Sequence, residues 1–166
     1  MKKIAGIVCI VSMVWMAALA GAETIYYPDE ENGIFSIALP DEWQVEFEDE
    51  MMMAGTEDET VIMLGWSVDA EDIEMAGEAV DELIANFITD IEWSDKGERE
   101  QEGIKYWWST GTGTETKEGT EVVVDITLFS PDDELIVILV TLAQLEGVEE
   151  HEEAIDSIFE SIELVE

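Results

Sequence analysis

The sequence has 166 residues and a formal net charge of −36, because 42 acidic residues face only six Lys and Arg. A surplus of this size argues against nucleic acid and anionic membrane surfaces as partners, because both are bound through basic side chains. The one cysteine, Cys9, lies within the first 22 residues, so the rest of the chain has no thiol and no disulfide.

The N-terminus has the pattern of a secretory signal peptide. Lys2 and Lys3 give a positive start, residues 4–19 are apolar, and Ala20-Gly21-Ala22 supplies a small-x-small cleavage pattern. The apolar segment is about sixteen residues long, which is short for a membrane span of about 20. A cleaved leader is therefore favoured over the alternative, a retained membrane anchor.

We expect cleavage between Ala22 and Glu23 by the general secretory route, which leads to the periplasm or the exterior. Residues 1–22 are then the signal peptide, and residues 23–166 form a single domain. A chain of this length buries about two-thirds of the surface that it exposes when unfolded. Without a disulfide, packing alone must stabilise it.

The charge of residues 23–166 is more extreme than that of the whole chain. Four basic residues, Lys96, Arg99, Lys105 and Lys117, oppose all 42 acidic ones, which gives −38. The acidic residues occur in short runs at every predicted turn and on both predicted helices, not in one long tail. An acidic tail is typical of disorder, whereas this even distribution predicts adaptation to saline surroundings and weak, non-specific cation binding.

The sequence pattern of the first half of the domain predicts mainly strands. A short strand at residues 24–27 precedes residues 34–39 and 43–48, which we expect to form a hairpin because a Pro-Asp-Glu turn separates them. Residues 51–55, three methionines followed by Ala and Gly, predict a soft loop. Residues 61–68 then predict another strand.

The next segment predicts a helix, with Asp69 or Asp72 as its cap. Its apolar residues recur at the spacing of one helical face: Ile73, Ala76, Val80, Leu83, Ile84, Phe87 and Ile88. After it, residues 91–94 begin a strand that Gly97 and Gly103 interrupt, and residues 104–112 form the next. The Thr/Gly/Glu segment 111–119 predicts an exposed hairpin tip.

The last third contains the strand around which the fold is organised. Residues 122–129 alternate in polarity, as a half-buried strand does, whereas residues 135–143 do not alternate and should be buried on both faces at the centre of a sheet. Residues 148–162 form a second amphipathic helix. The order of elements predicts an α+β fold, an antiparallel sheet of about six to seven strands flanked by two amphipathic helices.

One short motif resembles a known family. The sequence Phe35-Ser36-Ile37-Ala38-Leu39-Pro40-Asp41-Glu42-Trp43 is similar to the F-S-I-x-L-P-x-x-W opening of PsbP-like and DcrB-like extracytoplasmic domains. The resemblance extends in element order over residues 23–166 and implies an α/β/α sandwich around an antiparallel sheet. Members include an extrinsic photosystem subunit and many bacterial envelope proteins. They share no catalytic residues, so the resemblance implies none here.

No catalytic or metal-binding pattern is visible. His151, the only histidine, stands among four Glu residues at the edge of the apolar stripe of the second helix, so we interpret it as a boundary residue rather than a metal ligand. Residues 29–33 lack the alternate spacing of a calcium loop, which must converge six to eight oxygen atoms. Among 42 carboxylates, close pairs arise by chance. We therefore expect no cofactor and no enzymatic activity; a carboxylate-based hydrolase is the least favoured alternative.

The aromatic and methionine residues offer the only candidate surface. Trp107 and Trp108 are adjacent, so in a strand they point to opposite faces, and both are buried only if both faces are covered. Otherwise Trp107, with Met51, Met52 and Met53, would line an exposed apolar groove. The leading hypothesis is an envelope interaction module with an unidentified protein partner. The alternatives are a binder of a small hydrophobic ligand or of divalent cations.

Overall fold

The structure is a computed structural model that describes residues 21–48, 50–69, 73–101, 104–131 and 134–165. The first twenty residues, which contain most of the predicted signal peptide, lie outside these ranges. The described elements, in chain order, are β1 (Ala22–Tyr27), β2 (Phe35–Pro40), β3 (Gln44–Glu48), β4 (Met51–Gly55), β5 (Val61–Asp69), α1 (Ile73–Phe87), β6 (Ile88–Gln101), β7 (Ile104–Glu115), β8 (Glu121–Ser130), β9 (Leu135–Gln144), α2 (Leu145–Glu160) and β10 (Glu163–Leu164).

Seven strands form the main sheet, in the order β3-β4-β5-β9-β8-β7-β6. Every adjacent pair is antiparallel. β9 is the middle strand, and four consecutive residues at its centre, Val137 to Val140, are fully buried. The absence of alternation in this segment therefore has its predicted meaning: both faces of the strand are covered.

The two helices pack against opposite faces of the main sheet, as alternate residues of β9 reveal. Val137 and Leu139 belong to the core that contains Ile158 of α2. Ile138 belongs to the other core, which contains Ile84 of α1. The prediction of two amphipathic helices flanking an antiparallel sheet is confirmed in this coarse form.

A second sheet was not predicted. β2 pairs with β1 and with the short β10, and not with β3. The expected hairpin between residues 34–39 and 43–48 is therefore wrong. Pro40 ends β2 and accepts a turn hydrogen bond from the backbone N–H of Trp43 at 2.9 Å. Trp43 is buried in the core, so the chain crosses there from the small sheet to the main one.

The three methionines also lie in a strand instead of the expected loop. β4 pairs with β3 on one side and with β5 on the other. Met52 and Ala54 point into the core, where Met52 is fully buried. Burial of alternate apolar side chains thus decides the structure here, although unbranched methionine has no strong preference for strands.

The glycine-rich hairpin is shorter than predicted. β7 runs on to Glu115, and Gly111 and Gly113 lie buried within it. A Cβ atom at Gly111 would come within 2.9 Å of the carbonyl oxygen of Glu92 in β6, and one at Gly113 would collide with the side chain of Ile88. These glycines therefore allow β6 to approach β7 closely, which is a common role of glycine inside a strand.

Both helices have their predicted positions within a few residues. Asp69, one of the two predicted caps of α1, is the last residue of β5, and the other, Asp72, lies outside the described residues. α2 ends at a link to the small sheet: the Ser161 hydroxyl donates to the carbonyl of Ile158 at 2.7 Å and accepts from the backbone N–H of Ala38 at 2.8 Å. Among the described helices, none is long and apolar enough to cross a membrane.

Candidate functional site

An apolar groove of about 430 Å³ lies on the α1 face of the main sheet, across β6, β7 and β8. Its lining residues are Lys96, Gly97, Glu98, Trp107, Trp108, Ser109, Ile126 and Leu128. Trp107 is 37% exposed, whereas its neighbour in sequence, Trp108, is partly buried. Of the two adjacent tryptophans, Trp107 is therefore the exposed one.

The floor of this groove continues across the sheet as a row of directly opposed residues. Trp107 pairs with Leu128, Leu128 with Ile138, and Ile138 with Trp66. Opposed residues of an antiparallel pair lie on one face with their Cβ atoms about 4.5–5.5 Å apart. Ile138 is fully buried, while Leu128 and Trp66 are only partly buried. The apolar row thus becomes progressively exposed toward β7.

The methionines do not share this groove with Trp107. In the strand order, β5, β9 and β8 separate β4 from β7. At about 4.8 Å per strand, that separation is roughly 19 Å. Met52 faces the α2 side and is fully buried, and Met51 and Met53 are partly buried. The structure therefore separates the predicted surface of Met51, Met52, Met53 and Trp107 into two places.

Three of the four basic residues of the domain lie on the same pair of strands as Trp107. Lys96 lines the groove directly, beside Glu98. On the opposite face, the Arg99 guanidinium lies over the ring of Tyr106, 5.0 Å from its centroid, a cation–π arrangement. Within the groove itself, Lys96 and Glu98 balance each other in charge.

A second polar feature lies on the α2 face, where β8 places a partly buried carboxylate. Thr110 donates a hydrogen bond of 2.5 Å to Asp125 Oδ2, and Thr127 donates one of 3.2 Å to Oδ1. Burial raises the pKa of Asp125, and the two hydroxyl hydrogen bonds offset this rise only in part. The sequence analysis did not single out this residue. An Asp between Val123 and Thr127, on the inward face of an alternating strand, nevertheless indicates a carboxylate that faces the core side of the sheet.

The raised pKa of Asp125 predicts a pH-dependent stability at low ionic strength. The folded state binds the proton more tightly than the unfolded chain does, so stability is present below the unfolded pKa and lost as pH rises through the folded one. Asp125→Asn removes this loss. Its melting temperature should match that of the unmodified protein at acidic pH and exceed it at neutral pH, by roughly 3–6 °C for each pKa unit of displacement.

The matched control for this substitution is Asp95→Asn on β6. Asp95 is exposed and pairs directly with Thr110, so its substitution removes the same charge from the same region without changing a buried carboxyl group. Equal effects of the two substitutions at neutral pH would mean that general charge repulsion, and not burial of Asp125, causes the gain. Melting curves of both variants between about pH 3 and pH 8 decide between these causes.

His151 lies at the surface beside several acidic residues. His151 is half-buried at a shallow groove of about 330 Å³, whose lining otherwise includes the acids Glu42, Glu57, Asp58 and Glu150. Among the described residues, no group of three or more His, Cys, Asp and Glu is placed to hold a metal ion.

In the acidic loop before β2, Asp29 accepts hydrogen bonds from the backbone N–H groups of Glu31 and Asn32, each at 2.9 Å. Its contacts with the Asn32 side chain and backbone lower the pKa of Asp29. The first acid of this loop thus closes a local turn.

The predicted cleavage position falls at the start of β1. Ala22 pairs with Pro40 and Glu23 with Leu39, while the carbonyl of Gly21 accepts a hydrogen bond from the backbone N–H of Asp41. Cleavage between Ala22 and Glu23 would therefore leave β1 beginning at its second residue, with most of its pairing to β2 retained.

The architecture defines a class: an antiparallel seven-stranded sheet with a helix on each face and a small sheet beside one of them. Solved structures that resemble it over most of the chain include the following two. The solution structure of cyanobacterial PsbP (CyanoP) from Synechocystis sp. PCC 6803 aligns with a TM-score of 0.60 at 9% identity, covering 93% of this chain and 99% of that one. LpqN of Mycobacterium tuberculosis, a protein involved in cell envelope biogenesis, aligns with a TM-score of 0.58 at 13% identity, covering 87% of this chain and 91% of that one.

The chain thus has a PsbP-like fold, and the resemblance inferred from residues 35–43 is confirmed at this level. No protein-family model and no curated protein sequence matches the chain. At such low identity the similarity extends to the backbone arrangement alone. Function must therefore be argued from the surface of this chain.

Proposed function

We propose that residues 23–166 are a non-enzymatic binding module of the cell envelope or exterior, which contacts a partner protein through the groove at Trp107. The observation that carries this proposal is the exposed Trp107 at the end of an apolar row that runs across the sheet. Tryptophan is enriched at protein interfaces and among the residues that contribute most to binding. A rigid sheet presents it without the entropy cost of ordering a loop.

Three further features support this proposal. The leader pattern favours export, and a partner outside the cytoplasm follows from it. The groove holds Lys96 and Glu98, which form a polar rim around its apolar floor, as interfaces commonly have. The acidic character of the chain keeps it soluble in salt, while the charged groups that line the groove, Lys96 and Glu98, balance each other.

Position-specific crosslinking tests the proposal. Trp107 is replaced by the photo-crosslinking residue benzoylphenylalanine in cells that produce the full chain, and Trp93 is replaced in a matched variant. Trp93 is 46% exposed and lies on the neighbouring strand, but it does not line the groove. We expect a discrete protein adduct from position 107 and a much weaker one or none from position 93. Equal labelling from both positions would contradict the proposal.

A small hydrophobic ligand is the second candidate, because the groove volume falls within the range of about 300–1,000 Å³ found for ligand sites. A neutral apolar dye such as Nile red distinguishes the two. Saturable binding at one site, lost on Trp107→Ala and retained on Trp93→Ala, would favour the ligand. Weak, non-saturable binding together with the position-107 adduct would favour the protein partner.

A further inference from the structure

The surroundings of Asp125 are unusual because two hydroxyl groups donate hydrogen bonds to its carboxylate and a third threonine occupies the strand position directly opposite. Thr110 of β7 and Thr141 of β9 are the direct cross-strand partners of Asp125, and Thr127 follows it by two residues on the same strand. All four side chains therefore lie on the α2 face of the sheet. Thr127 and Thr141 are buried, with exposed fractions of 7% and 4%.

Two of these groups lack compensation for their burial. Thr141 Oγ1 is buried and has no hydrogen-bond partner among the residues that the structure describes. Asp125 is partly buried, and the two side chains that hydrogen-bond to it are hydroxyl groups, which carry no positive charge. Buried polar groups are nearly always partnered in native proteins, and a buried carboxylate requires a counter-charge or a proton. One bound cation would correct both deficiencies at once.

We propose that Asp125, Thr127 and Thr141 bind a single alkali cation, with Na⁺ as the ion of saline surroundings. Each carboxylate oxygen accepts one hydrogen bond from a threonine and keeps a lone pair for a metal, and each threonine hydroxyl can donate a proton and still offer a lone pair. A site made only of hard oxygen donors suits hard cations. One carboxylate neutralises one positive charge, so a monovalent ion leaves the interior neutral.

The site is independent of the groove at Trp107, because it occupies the opposite face of β8. Ile126 and Leu128, which line the groove, alternate with Asp125 and Thr127 along that strand. The cation would therefore act on folding, and not on partner contact. It makes part of the stability of the chain depend on which cation is present, in addition to any dependence on ionic strength.

Replacing choline by Na⁺ at constant ionic strength tests this inference. At about 1 M total salt the Debye length is about 3 Å, so general screening is already complete and identical in both solutions. The unmodified protein should gain roughly 3–6 °C in melting temperature as Na⁺ replaces choline, the shift expected for a site with a dissociation constant of about 0.1 M. The gain should saturate with Na⁺ concentration.

Three variants separate this site from the acidic surface. Asp95→Asn should keep the full Na⁺-specific gain, while Asp125→Asn and Thr141→Val should lose it. In choline, Thr141→Val should be neutral or stabilising, because it removes an unpartnered hydroxyl from the interior at nearly constant volume. Broadening of the ²³Na NMR line by the unmodified protein should also decrease with Asp125→Asn and Thr141→Val, relative to Asp95→Asn.

Two results would overturn the inference. If all variants keep the Na⁺-specific gain, the ion acts on the surface in general. If Thr141→Val lowers stability equally in choline and in Na⁺, the hydroxyl has another partner, such as an ordered water, and no cation is needed. The line broadening is measured on the unmodified protein first, so a variant that folds poorly does not remove the test.

Discussion

Raising NaCl from about 0.05 M to about 3 M should raise the melting temperature of residues 23–166 by roughly 10–20 °C. The cause is the repulsion among 42 acidic residues that only four basic ones oppose. Two like charges about 10 Å apart in water repel by about 0.4 kcal/mol, so some tens of neighbouring pairs amount to several kcal/mol. Unfolding relieves much of this repulsion at low salt, and screening removes the advantage at high salt.

Thermal unfolding followed by tryptophan fluorescence measures this effect, with choline chloride in a parallel series. A rise in melting temperature in both salts indicates screening. Any additional rise that occurs only in NaCl is attributed to cation binding at Asp125. Addition of millimolar CaCl₂ in about 1 M NaCl should give no further gain, since screening is nearly complete there. A melting temperature that does not change with NaCl, or a large gain from calcium at low stoichiometry, would refute the saline-adaptation proposal.

The sequence predicts the elements whose own pattern of apolar residues shows how many of their faces are buried. β9 was identified because its apolar residues do not alternate, and α1 because its apolar residues recur every three to four positions. Both patterns report how many faces of an element are buried, which is a property of the element itself. This explains why the middle strand of a seven-stranded sheet could be located from residues 135–143 alone.

Pairing between elements could not be predicted in the same way. β2 and β3 are adjacent in sequence and carry good strand patterns, yet they join different sheets because Phe35 packs on Phe129, far along the chain. Likewise, Gly111 and Gly113 resemble turn residues, whereas the structure uses them for close contact with β6. In each case a contact between residues far apart in sequence determines how the strands are arranged. The local sequence does not reveal that contact.

The candidate surface at Trp107 was also predictable only in part. That Trp107 and Trp108 face opposite ways follows from strand geometry, so exposure of one was predictable. The extent to which α1 covers the sheet determines which of the two tryptophans is exposed. The distance from β4 to Trp107 depends on the strand order. The cluster at Asp125 unites β7, β8 and β9 and so requires the register of three strands.

Phe129 is a buried aromatic residue through which the main sheet contacts the small one. It is fully buried and contacts Phe35 of the small sheet edge-on, with ring centroids 5.4 Å apart. It also lies 5.5 Å from the ring of Tyr106 on β7, and Phe35 in turn stacks on Tyr27 at 5.2 Å. Aromatic pairs in such arrangements contribute more than their buried area alone.

Phe129→Ala should therefore destabilise the fold by about 3–5 kcal/mol, the usual cost of truncating a buried aromatic residue. For a domain of this length, that corresponds to a melting temperature lower by roughly 10–15 °C. Phe47→Ala is the matched control, because Phe47 on β3 is 46% exposed and its truncation should cost less than about 0.5 kcal/mol. Both variants are measured in about 2 M NaCl, where screening favours the folded state. Equal effects of the two substitutions would mean that Phe129 does not join the sheets. The small sheet would then owe its position to other links, such as the Ser161 contact with Ala38 and the hydrogen bond from the Ser67 backbone N–H to the Tyr27 hydroxyl.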